Sequence, residues 1–234
     1  MKKLILILFL LFPNLAFATT ITFQQGASSY SGCVDTFLYG GATTTNEDTL
    51  SLLVKTSASD GSKRDTLIKF DISSIPAGST IDTVTLTLYI SANQGAANGV
   101  LYIYDNLRNW AETQATWNVY TTGNNWTTAG ARSSGNDLTG TWGSATGALS
   151  NVTILSSTVS TTVVLPTASA FVSSVQTALD GSGTVNWELV QRNTDNNTWT
   201  FSDSEDATSG NRPILTIDYT APAPTNALYD GTIY

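Results

Sequence analysis

The sequence predicts an all-β protein: a jelly-roll-like antiparallel β-sandwich with one short end-capping α-helix. Three observations lead there. Residues 81–90 alternate strictly, with Val84, Leu86, Leu88 and Ile90 interleaved with Thr83, Thr85, Thr87 and Tyr89. That period of two puts aliphatics on one face of a strand and hydroxyls on the other. Shorter runs of the same kind recur at 66–71, 100–104, 184–191, 198–202 and 214–219, punctuated by turn clusters such as Ala92-Asn93-Gln94-Gly95 and Asp180-Gly181-Ser182-Gly183. Many short strands with turns between them describe a sandwich or barrel. A single segment, 167–180, departs from this pattern.

Taken in chain order, the first 18 residues stand apart. Met1-Lys2-Lys3 is a basic start, Leu4 to Leu11 an almost purely aliphatic run, and Ala16-Phe17-Ala18 supplies small residues where a signal peptidase reads. The run is too short to span a bilayer, which needs about 20 apolar residues. Residues 1–18 are therefore expected to be a secretory signal cleaved after Ala18, 19–219 the sandwich domain, and 220–234 a Pro/Ala linker or the start of a further segment. The lysine-led signal points to a bacterial protein that is secreted or held at the cell surface.

Composition removes whole classes of chemistry. The chain of 234 residues has no histidine and one cysteine. No Ser-His-Asp triad, imidazole-held zinc, internal disulfide or CxxC pair can be built from it. Cys33 reads as a small buried residue rather than a reactive thiol. Ten basic residues face 18 acidic ones, for a formal charge of −8. Loss of the signal would remove two lysines and make the balance more negative still. Nucleic acid, anionic membrane and polyanions are disfavoured as partners.

In the 167–180 segment, Ala168, Phe171, Val172, Val175 and Leu179 fall at helical spacing, with Gly181 as a stop and Thr167 or Ser169 as caps. Such a helix is expected to close one end of the sandwich. The stretch 118–151 is rich in Gly, Thr and Asn. A loop of that length in a compact domain needs a function or pairing of its own. Tyr120, Trp126 and Trp142 lie in it among polar residues with no aliphatic period to bury them, so they are candidate ring platforms for a ligand, with packing into a core of the loop's own as the competing and favoured reading.

Four blocks in order carry a family likeness: Asp35-Thr36-Phe37-Leu38; the run from Arg64 through Lys69-Phe70-Asp71-Ile72 to Gly78; Asn109-Trp110-Ala111-Glu112 with Ala115-Thr116-Trp117-Asn118; and Phe201-Ser202-Asp203-Ser204-Glu205 with Arg212-Pro213-Ile214-Leu215. Together they resemble the DNRLRE-type secreted β-sandwich domain, a group placed among carbohydrate-binding modules. The likeness covers roughly 35–219. It departs where the family carries a glycine-bearing turn and this chain has Asn46-Glu47-Asp48. The resemblance implies a jelly-roll-like sandwich from secreted, often multidomain proteins that act on polysaccharides or sit on cell surfaces.

Two sets of residues follow as candidates. Trp110 and Glu112, two apart, offer an indole face and a hydroxyl-accepting carboxylate. The competing reading has the indoles of this block packing an edge while Glu112 and Asn118 tie down loop backbone, and the resemblance favours it because the block belongs to the family's common framework. Asp35, Asp203, Glu205 and Asp206 form the second set. They are either oxygen ligands of a structural calcium, with Asn46-Glu47-Asp48 as a weaker alternative, or a latch in which Glu205 pairs with Arg64 or Arg212; the two arginines favour the latch. No acidic spacing singles out a glycosidase pair, and uronate lyase chemistry lacks a histidine base and a rich supply of cations. The expected function is a non-catalytic carbohydrate-binding or adhesion module acting on a polysaccharide, more readily a neutral one. A purely structural spacer is the alternative, with a hydrolase or lyase behind both.

Overall fold

A computed structural model describes residues 18–48, 51–192 and 197–223. The fold is the expected all-β sandwich with one helix. Thirteen strands run antiparallel: β1 (Ala18–Phe23), β2 (Cys33–Tyr39), β3 (Leu52–Lys55), β4 (Arg64–Asp71), β5 (Thr80–Gln94), β6 (Gly99–Asp105), β7 (Val119–Thr121), β8 (Asn124–Asn125), β9 (Ser150–Ile154), β10 (Thr161–Leu165), β11 (Thr184–Arg192), β12 (Thr198–Phe201) and β13 (Ile214–Thr220). Eleven of them join one curled sheet whose main path is β1-β13-β5-β12-β3-β4-β11-β6-β9, with β10 also on β5 and β2 also on β4. The first strand pairs with the last, Ile21 opposite Ile217, so chain-distant segments close the fold.

The alternation predicted at 81–90 is realised. Ile81, Val84, Leu86, Leu88 and Ile90 are buried, whereas Thr83, Thr85, Thr87 and Tyr89 are not. The strand is longer than its apolar period, and it pairs with β10, β12 and β13 along its length. Its aliphatics meet Ile68, Phe70, Trp187, Leu189, Leu101 and Ile103 in the main core. Burying such side chains contributes about 1.5–3 kcal/mol each, so the sheet curls to bring these faces together. Cys33 lies in this core as a free, buried thiol.

The helix α1 (Ser169–Asp180) docks through Phe171 and Val175. Phe171 meets Trp187 edge-on at 5.0 Å, and the Gln176 amide accepts from the Ile81 N–H and donates to the Ser79 carbonyl. The helix thus sits over the beginnings of β5 and β11. Its expected caps are absent: no side chain caps the first turn, and the Thr167 hydroxyl instead donates to the Val84 carbonyl, closing the β5 backbone. Gly181 follows the helix but does not take the left-handed conformation.

The outer face of the β2-β4-β11-β6 layer is not left to solvent. Residues directly opposed in a sheet share a face. Leu67, Glu188 and Tyr104 are opposed in register and therefore project together, away from the main core. The long excursion after β6 folds over them and makes two further apolar clusters, one around Trp110, Trp117 and Trp126 with Leu38 and Leu67, the other around Tyr102, Tyr104, Leu138 and Val190. Asp137 organises this excursion. Its carboxylate accepts the N–H groups of Thr127, Thr128 and Ser133 and pairs with Arg108 at 3.2 Å. Gly140 and Gly147, both at positive φ, cross so closely that a Cβ on either would lie 2.3 Å from the other strand of the loop. The loop is ordered by its own pairing, β7 on β8 included.

Candidate functional site

The aromatics follow the packing reading rather than the platform one: Trp110 and Trp126 are buried, Tyr120 and Trp142 half-buried. Trp126 is 4% exposed, its indole N–H donating to the Thr116 carbonyl, and Tyr120 covers it at 5.5 Å while itself only half-buried. Trp110 is 2% exposed, its indole N–H donating to Asn186 Oδ1, and is overlaid by the Lys69 ammonium at 4.3 Å. Trp142 is half-buried: its N–H donates to Asp65 and its ring faces Arg132 and Lys63. Absence of aliphatic period did not mean exposure, because these rings bury one another and the outer face of a sheet. The structural reading of the Trp110 block is the one the packing follows.

What the surface offers is a groove rather than a ring platform. A cleft of about 620 Å³ runs along α1, bounded by Ser173, Ser174 and Thr177 on the helix and by Asp105 and Asn186 on the strands. A second hollow of about 480 Å³ shares Asn106, Leu107, Ser182, Thr184 and Asn186 with it and continues to Lys69, Arg108 and Asn109. Leu107, 46% exposed, offers the groove an open apolar side chain, and Ala170, Ala178 and Val185 also line it. Burial pushes the Asp105 carboxyl up, against the Ser174 hydroxyl bond that holds it. Desolvation holds the Lys69 ammonium down to about 8, with Glu112 opposing. Lys69 donates to Asn109 Oδ1 and to the Trp110 backbone carbonyl, which leaves one of its three N–H donors for a ligand.

The acidic residues gather elsewhere. Asp35 lies on edge strand β2 opposite Ile68, so it points to the core side. Its Oδ2 accepts the Ser204 N–H at 2.9 Å, and its own N–H donates to Glu112 at 3.0 Å. Oxygens of Asp35, Glu112 and Glu205 lie within 4.8 Å of one another. Asp48, Glu112, Asp203 and Glu205 line a cavity of about 380 Å³ beside them. Burial raises the Asp35 carboxyl well above the usual carboxylate range, and Glu205 adds to it. Burial likewise raises Glu112 and Asp203. These acids surround one small cavity, apart from the groove along α1.

Two sequence expectations change here. Asp206 stays outside the trio, holding its own turn through the Thr208 N–H, and Glu112 takes its place. The latch is absent: Arg212 donates to the carbonyls of Gln25 and Asp206, and Arg64 lies over the Tyr39 ring at 4.0 Å. Of the Asn46-Glu47-Asp48 turn, Asp48 reaches the cavity while Asn46 donates to the Glu112 and Ala115 carbonyls. Glu112 was visible in sequence only as a neighbour of Trp110. Its partnership with β2 is a tertiary fact.

The fold is a β-sandwich with a groove along α1 and a separate acidic cavity. Residues 27–137 match the sequence model of carbohydrate-binding module family 96. The match supports a carbohydrate-binding module, a kind of domain that binds rather than catalyses. No curated protein matches the chain.

Proposed function

We propose that this chain is a non-catalytic module of a secreted, multidomain protein that binds a polysaccharide along the groove between α1 and the turn after β6. The match to carbohydrate-binding module family 96 over residues 27–137 carries this reading, and the matched stretch contains the Lys69 and Asp105–Asn109 wall of the groove. Hydroxyls, amides, a carboxylate and an ammonium are the groups that read sugar hydroxyls by hydrogen bonding, with Leu107 offering apolar contact to sugar C–H groups. Recognition here needs no exposed indole.

The proposed ligand is neutral. The formal charge is −8, and most described cations are occupied within the protein. Lys63 pairs with Asp60, Arg132 with Asp60 and Asp65, and Arg108 with Asp137. Affinity electrophoresis through gels holding neutral glucans, xylans, mannans or a uronate polymer tests the reading. Retention by a neutral polysaccharide, lost in Ser173→Trp because the indole fills the groove, is the expected result. Retention by none ends the proposal in favour of a structural spacer. Retention that survives Ser173→Trp keeps the module and removes the groove.

A further inference from the structure

We propose that Asp35, Glu112 and Glu205 hold a calcium ion that clamps β2 to the turn after β6 and to the loop after β12. The acidic cavity alone would not carry this. The decisive atom is Asp35 Oδ1: the residue is 1% exposed, and this oxygen is buried with no hydrogen-bond partner while the other carboxylate oxygen is held by Ser204. A buried carboxylate oxygen without a donor is costly unless a cation meets it.

The geometry fits the ion. Calcium takes six to eight oxygens at about 2.4 Å, so any two of its ligand oxygens lie within about 5 Å of each other. The oxygens of the trio meet that limit at 4.8 Å. Asp48 and Asp203 line the adjoining cavity and bring further carboxylates to it. An assembly of protein carboxylates drawn from distant segments suits calcium over magnesium, which keeps its waters and needs a tighter octahedron. The trio draws on residues 35, 112 and 205, so the ion would fasten three segments that backbone pairing leaves independent. This site is separate from the groove, and its failure would leave the carbohydrate reading untouched.

Thermal unfolding and titration calorimetry on the full chain, stripped with EDTA, test the site. Calcium is expected to raise Tm and bind with Kd in or below the 0.1–1 mM range of extracellular modules, roughly, with magnesium much weaker. Glu205→Gln alters an exposed side chain and keeps the fold, and is expected to weaken calcium binding about tenfold or more. Asp35→Asn is expected to abolish the calcium response while unfolding in EDTA at or above the wild-type temperature, because it removes the unpaired buried charge. No heat and no Tm shift with calcium up to about 10 mM overturns the proposal. So does a calcium response of wild-type size in both variants.

Discussion

The indole N–H of Trp142 donates to Asp65 at 3.0 Å, binding a half-buried ring from the long excursion to a carboxyl that is fully buried on β4. Arg132 approaches the same carboxyl at 3.5 Å and also lies over the Trp142 ring. Glu188 on β11 is fully buried beneath the same excursion and interacts with both Asp65 and Arg132. Two acids and one guanidinium therefore share the space between the sheet and the loop that covers it.

This pair makes stability fall as pH rises. Burial pushes the Asp65 carboxyl up to about 7, against Arg132, the Trp142 bond and Lys63. Burial and the charge of Asp65 raise Glu188, against the Asn106 bond and Arg132, with Asp137 adding to the rise. A carboxyl whose folded value exceeds its unfolded one holds more protons when folded. For Asp65 the stabilisation is complete below about pH 4 and disappears as pH climbs through about 7. Glu188→Gln removes one member, so urea unfolding between pH 5 and pH 8 should show a shallower fall than wild type, by a few kcal/mol at most. Equal slopes would contradict it.

Asp137 behaves in the opposite sense. Burial pushes its carboxyl up, but the N–H groups of Thr128, Thr127 and Ser133, with Arg108, outweigh that and hold it below the ordinary value. Its contribution is present above about pH 4 and is lost on acidification. Asp137→Ala strands three backbone donors and the guanidinium, and should lower unfolding stability by about 3–5 kcal/mol. Hydrogen exchange should accelerate first at Thr127, Thr128 and Ser133.

Trp126→Ala should act on stability, not on recognition. The ring is buried against Tyr120, Trp110 and Trp117, and its removal should lower stability by about 3–5 kcal/mol. At a temperature where the variant stays folded, polysaccharide retention should equal wild type. A specific loss of retention with unchanged stability would restore the ring to the ligand surface.

On the proposal that residues 1–18 are a secretory signal, export should leave Thr19 as the first residue. In the fold, Ala18 pairs only with Thr220 at the extremity of β1, so removing it keeps the pairs from Thr19 to Phe23. Amino-terminal sequencing of the secreted protein checks this, and a start inside β1 beyond Thr19 would be inconsistent with it.

Much of the architecture was written in local pattern. The β5 aliphatics and the helix near 169–180 were legible because each follows a period that one buried face imposes. Strands β1, β9 and β10 were not, since their few apolar residues sit among Ser, Thr and Asn and gain their place by pairing with longer neighbours. The aromatics of the excursion after β6 lack any period because a loop carries them, and they pack on one another and on Leu38 and Leu67 of the sheet.

The sequence alone determined the class of fold, the absence of imidazole and disulfide chemistry, and the acidic character, because composition and alternation are local quantities. Tertiary structure decided which rings face water and which acids meet. Asp35, Glu112 and Glu205 are separated by scores of residues, and only the order in which strands close the sandwich brings their oxygens within 4.8 Å. Long-range pairing, not spacing along the chain, sets that distance.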